Sequence, residues 1–145
     1  MPLPKPEPGL LIAYSYLWAS QRTVGETEGR KTRPCAIVVA TSDEDGDPLV
    51  YVAPVTHSKP ADDEHAIELP AKLKRHLGLD DQPSWVVTTE LNRFIWPGYD
   101  LKPIARNKPD TFVWGFLPTD LFNRIKQGIA RNRQAQRLKV SDREI

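Results

Sequence analysis

Gly25-Glu26-Thr27-Glu28-Gly29-Arg30-Lys31-Thr32-Arg33-Pro34-Cys35-Ala36-Ile37-Val38-Val39-Ala40 passes, at Pro34, from a charged, glycine-containing loop into an unbroken apolar run. The run is short, rich in β-branched residues and bounded by turn residues, so it predicts a buried strand rather than a helix. Arg33 then stands at the mouth of that strand. Proline fixes its own φ and drives the preceding residue towards extended geometry, so the backbone holds Arg33 in place. A held guanidinium offers a fixed fork of donors suited to a phosphate. The plainer alternative is a surface arginine paired with Glu26 or Glu28.

Outward from this stretch, Leu10, Ile12, Tyr14, Tyr16 and Trp18 alternate with Leu11, Ala13, Ser15 and Leu17, a period of two that predicts a first strand over 10–18. Residues 19–32 read as loop and 34–40 as strand. Thr41 to Pro48 is a turn by composition. Leu49 to Thr56 is a further strand, with Pro54 predicting an edge or a bulge, and Thr56, His57 and Ser58 close it. Ala66–Leu69 is a short strand, and Pro70–Gly78 a helix of one to two turns whose Lys72, Lys74 and Arg75 form a solvated face. Residues 84–89 and 90–96 lack a turn between them, which suggests one long strand bent around a barrel corner. Phe112–Leu117 is the last strand. A helical period then starts at Pro118 with Leu121, Phe122, Ile125 and Ile129 on one side, weakened at Gly128. Six or seven short strands and a terminal helix predict a mainly β fold, a small bent antiparallel barrel.

The chain has 145 residues, enough for about one domain with a proper core. The expected layout is one domain over 1–145, with an extended arm at 1–8, where prolines 2, 4, 6 and 8 exclude helix, and a basic tail from about 130 to 145. Residues 1–100 carry ten Lys/Arg against fifteen Asp/Glu, and residues 101–145 ten against four, so the basic surplus is C-terminal. Arg131, Arg133, Arg137 and Lys139 are either a solvated face or a nucleic-acid contact. Cys35 is the one cysteine. It excludes an intrachain disulfide or a cysteine-built zinc site and suits a reducing cytosol. No apolar run reaches membrane-span length and no signal-peptide pattern opens the chain, so a soluble cytoplasmic protein is expected.

Three segments together, Gly9-Leu10-Leu11-Ile12, Glu28-Gly29-Arg30-Lys31-Thr32-Arg33-Pro34 with its apolar strand, and Val52-Ala53-Pro54-Val55-Thr56-His57, resemble the MazF/PemK family of toxin endoribonucleases over roughly residues 9–127. The resemblance implies an SH3-like barrel that dimerises, cleaves single-stranded RNA without a metal or other cofactor, and is neutralised by a cognate antitoxin protein. It gives catalytic roles to Arg33, Thr56 and Glu28. A later aspartate–glutamine pair of the family is replaced by Thr89 and Glu90, followed by Leu91, Asn92 and Arg93. Lys31, Asn92 and Arg93 are the RNA-binding candidates.

The chemistry can be argued from the residue types. Attack of a ribose 2′-OH on its own phosphate needs a base for the proton, donors for the added phosphorane charge and a proton for the leaving oxygen. Arg33 suits the charge but, being always protonated, not the base. Glu28, if its pKa is raised, and His57, an imidazole and so the commonest type of general base, are the candidates for that role. Thr56 would donate to a phosphate oxygen. Neighbouring strand residues point to opposite faces, so Thr56 and His57 converge only if the strand has ended. His65 and His76 lack acids or cysteines at metal spacing and are expected to be structural. Two other readings remain: a barrel that only binds nucleic acid or a protein, and a gyrase-poisoning toxin of related fold.

Overall fold

The computed structural model describes residues 3–26, 29 and 31–143. The elements run β1 (Leu10–Tyr14), α1 (Ala19–Thr23), β2 (Arg33–Ser42), β3 (Pro48–Thr56), β4 (Ala66–Glu68), α2 (Ala71–Leu77), β5 (Trp85–Val87), β6 (Glu90–Ile95), β7 (Val113–Phe116), α3 (Thr119–Gln134) and β8 (Lys139–Asp142). The fold is mainly β, an eight-stranded, predominantly antiparallel sheet with a helix near the C-terminus. Residues 3–8 form neither helix nor strand, in keeping with their prolines.

β3 is the hub. One edge pairs with β2 from Cys35↔Pro54 to Ser42↔Pro48. The other pairs with β6 through Leu49–Val52 and with β5 through Val55–Thr56. The 84–96 stretch is therefore not the one long bent strand expected but two, β5 and β6, interrupted at Thr88 and Thr89 and both lying along β3. Pro54 is not at a sheet edge. It lies where β3 passes from β6 to β5, in the gap left by Ala53 and Pro54, where a residue without an N–H removes no ladder bond on that side.

A bulge between Ile37 and Val39 bends β2 and reverses its alternation. Cys35 and Ile37 pack in one core cluster together with Leu10, Ile12, Tyr14, Val50, Val52 and Phe94, and after the bulge it is Ala40 that joins them. Ala36 and Val38 face the opposite cluster, with Leu11, Val55 and Val86. Both faces of the sheet are thus buried, which is why all five residues of β1 are inaccessible. Cys35 packs as a small apolar residue, and burial pushes its thiol up from its ordinary pKa.

The apolar stripe of α3 covers the second cluster with Leu121, Phe122, Ile125 and Ile129. Cutting the wholly buried Ile125 to alanine is expected to cost about 2–5 kcal/mol. Gly128 does not end the helix. A Cβ there would meet Thr88 Cγ2 at 3.2 Å, so the glycine lets α3 approach β5–β6 closely.

The first strand, expected over 10–18, ends at Tyr14, and three further expectations are corrected. Residues 19–23 form α1, its start held by the Trp18 N–H on Gln21 Oε1 at 3.1 Å. The basic segment after residue 130 is no tail among the described residues: α3 continues to Gln134, and β8 then pairs parallel with β6 from Glu90↔Lys139 to Arg93↔Asp142. Arg143 follows, buried against Asp100 at 2.8 Å. Lys74, finally, is not part of a solvated face; it is buried.

Candidate functional site

Arg33 opens β2 directly before Pro34, in register with Tyr14 of β1. Its guanidinium carbon lies 4.9 Å from the centroid of the Trp18 ring, a cation–π contact, and one terminal nitrogen donates to the Val55 carbonyl at 3.3 Å. Its Nε is buried and has no hydrogen-bond partner among the described residues. Burial pulls the guanidinium down from its ordinary pKa, with Cys35 and Tyr16 opposing.

Thr56 is the last residue of β3, and His57 the first beyond it. Because the strand has ended, both side chains line the same cavity, of about 490 Å³, together with Arg33, Lys31 and Trp18. Thr56 Oγ1 accepts the Ser58 N–H at 3.1 Å, capping the turn, which leaves the hydroxyl proton for a further acceptor. Lys59 and His65 complete the charged and titratable lining, and no carboxylate lines this cavity among the described residues.

An adjoining recess of about 170 Å³ shares Lys31, Arg33, Thr56 and His57 and adds Lys74, Asp80 and Ser84. Here His57 Nε2 lies 2.8 Å from Asp80 Oδ2. Asp80 Oδ1 accepts from Lys74 Nζ, also at 2.8 Å. The Lys74 ammonium holds the Asp80 carboxyl below its usual range against the opposing effect of burial, with His57 acting in the same direction as Lys74.

The sequence-derived candidates divide clearly. Arg33, Thr56, His57 and Lys31 come together. Glu28 lies outside the described residues. Asn92 is no RNA contact: it is wholly buried, its Nδ2 donating to the Leu17 carbonyl at 2.8 Å and its Oδ1 accepting the Leu17 N–H at 2.9 Å. Arg93 lies off the cavity, paired with Asp142 and donating to the Tyr51 hydroxyl, because the β6 alternation turns it to the other side of the sheet from the site. Of the Thr89–Glu90 pair, Thr89 lines the cavity. Glu90 instead accepts from the Tyr16 hydroxyl at 3.0 Å and the Ala19 N–H at 2.9 Å, and burial raises its pKa.

Trp18, His65, Lys74 and Asp80 were not legible as site residues. Trp18 ends an alternating run and reads as core, while Asp80 reaches the site only through the turn after α2. Comparison of the chain with protein-family models gives no match, and comparison with curated proteins gives none. Function therefore rests on a mainly β fold that carries a cationic, imidazole-bearing cavity at the end of its central strand.

Proposed function

We propose that this cavity cleaves single-stranded RNA without a metal ion, in the manner of a MazF/PemK-type toxin endoribonuclease built on an SH3-like barrel. The observation that carries the proposal is the convergence of Arg33, Thr56 and His57 in a cavity whose described lining holds Lys31 and Lys59 but no carboxylate. Such a lining attracts a phosphodiester, and the nearby Asp80 carboxylate is already paired with Lys74.

In this scheme His57 takes the proton of a ribose 2′-OH as that oxygen bonds to the adjacent phosphorus. Arg33, held over Trp18, and the Thr56 hydroxyl donate to the phosphorane oxygens as charge accumulates there. The bond from phosphorus to the 5′-oxygen then breaks and that oxygen takes up a proton, leaving a 2′,3′-cyclic phosphate and a 5′-hydroxyl. Neutralisation by an antitoxin, homodimer formation and action in the cytoplasm belong to the same proposal.

The test is incubation of the purified protein with a mixed-sequence single-stranded RNA, with and without chelator. Cleavage to 2′,3′-cyclic phosphate ends in both conditions, with a 2′-O-methyl substrate left intact, is expected. Failure to cut, or cleavage abolished by chelator, overturns the proposal.

A further inference from the structure

Two charged residues beside the cavity have no part in that scheme, and their arrangement is specific. Lys74 has a side chain only 4% exposed. A buried ammonium is tolerated only when paired and fully hydrogen-bonded. Its three N–H bonds meet Asp80 Oδ1, the Ser84 hydroxyl at 2.6 Å and the Gln82 carbonyl. No donor is left for a substrate. What Lys74 does is fix Asp80 and hold it as a carboxylate.

The chain delivers this pair to His57 by a defined route. Lys74 lies in the last turn of α2, and Gly78 ends the helix in the left-handed region with φ 80°. That reversal suits glycine, and the Leu79 N–H returns to the Lys74 carbonyl at 2.9 Å. Asp80 follows immediately, facing the residue after β3. Its Oδ2 thus reaches His57 Nε2 while Oδ1 stays on Lys74.

We propose that the Lys74–Asp80 pair is a positioning device for His57: Asp80 accepts the Nε2–H, which fixes the ring and its tautomer and leaves Nδ1 as the nitrogen that takes the substrate proton. The assignment of that proton rests on the proposed RNA cleavage. When Nδ1 is protonated, the ring keeps its Nε2–H on Asp80 and becomes an imidazolium; no proton passes to Asp80, whose charge offsets the new cation. That offset matters because the other charged or titratable groups facing His57 across the cavity, Lys31, Arg33, Lys59 and His65, are cations or potential cations. Asp80 is the one acid among the described residues lining the smaller recess.

A double-mutant kinetic cycle combined with 15N NMR of the histidine rings tests this. His57→Ala is expected to slow RNA cleavage about a hundredfold or more, the usual contribution of a general base. Asp80→Asn should lower kcat at unchanged KM, and the two changes together should be no slower than His57→Ala alone. Asp80→Asn keeps an oxygen to accept from the 4%-exposed Lys74 but removes its counter-charge, so its thermal unfolding temperature should fall; where it does not fold, the wild-type His57 ring decides alone, a mixture of tautomers overturning the positioning. At alkaline pH the wild-type His57 ring should show one tautomer protonated at Nε2, and Asp80→Asn a mixture. The ring measurement needs no RNA: if the wild-type protein cuts nothing, the proposed function falls while the spectra still decide the positioning. Losses that multiply in the double variant, or His57 ring signals identical with and without Asp80, overturn it.

Discussion

The Arg33 guanidinium is clamped against the Trp18 ring, 4.9 Å from its centroid. Pro34 holds its backbone, the Val55 carbonyl takes one terminal N–H, and the Trp18 ring packs against the guanidinium. A donor fixed in this way reorganises little when charge develops in front of it, which is the condition for strong transition-state stabilisation. Arg33→Ala should therefore slow RNA cleavage on the order of a hundredfold or more, and Arg33→Lys nearly as much because a point charge replaces the fork. Trp18→Leu should cost less, about 0.5–2 kcal/mol of transition-state binding, the range for a cation–π contact. Cleavage kinetics alongside circular dichroism check both; near-wild-type rates in folded Arg33→Ala remove Arg33 from the site.

Asn92 and Arg93 are neighbours with opposite expected outcomes. Asn92→Ala strands the Leu17 N–H and carbonyl inside the protein and removes an acceptor from Arg143, so it should lower stability by about 2–4 kcal/mol. Its cleavage rate per folded molecule should not change. Arg93→Ala breaks an exposed pair with Asp142 and should alter stability by less than about 1 kcal/mol and RNA affinity not at all. Chemical denaturation and RNA binding on the same two variants separate these roles. Weaker RNA binding by Arg93→Ala would extend the interface beyond the cavity.

Legibility in the sequence followed the locality of the cause. The apolar run after Arg33-Pro34, a turn within Thr41–Pro48, narrowed to 43–47, and the stop at Gly78 are dictated by residues within a few positions, and all appear in the structure. The convergence of Thr56 and His57 was conditional on a strand end, also a local event. Asn92 depends on Leu17, 75 residues away, and nothing near Asn92 signals that partner. Lys74 sits in a Lys-Leu-Lys-Arg run that looks like any charged helix face; only Asp80, Gln82 and Ser84, arriving after the turn, bury it. β8 is four residues long and pairs in parallel with a strand more than forty positions earlier, so neither length nor a hairpin turn announces it.

Glu90 gives a pH signature. Burial raises its carboxyl pKa in the folded state, so the folded protein binds that proton more tightly than the unfolded chain does. The resulting destabilisation is absent below the unfolded value, about 4.3. It grows as pH rises through the folded value and is complete above it. Glu90→Gln keeps an oxygen for the Tyr16 hydroxyl and the Ala19 N–H while removing the charge. Relative to wild type, Glu90→Gln should therefore gain stability between pH 4 and pH 7. Urea unfolding at both values tests this, and a difference independent of pH would mean that Glu90 binds its proton no more tightly in the folded protein than in the unfolded chain.

The basic residues near the C-terminus raise the question of where RNA phosphates bind. Truncation after Gln127 cannot answer it, since it removes the end of α3, β8 and the buried Arg143–Asp100 pair and should unfold the protein. Charges must be neutralised in place. Arg137 is already committed to Asn132 and Glu64. Arg131 shares its cavity with Arg124 but also with Asp63 and Glu68, so the net pull on a phosphate there is small. The cavity of Lys31 and Lys59 has no such compensation among the described residues. Because each phosphate contact on a single strand contributes about 0.7 to the slope of log affinity against log salt, Lys31→Gln with Lys59→Gln should flatten it by roughly 1.4. Arg131→Gln with Arg133→Gln should leave it unchanged. Binding of a 2′-O-methyl RNA, which is not consumed, measured at several salt concentrations gives the slopes directly. A flattened slope in the Arg131/Arg133 variant would move part of the RNA track onto α3.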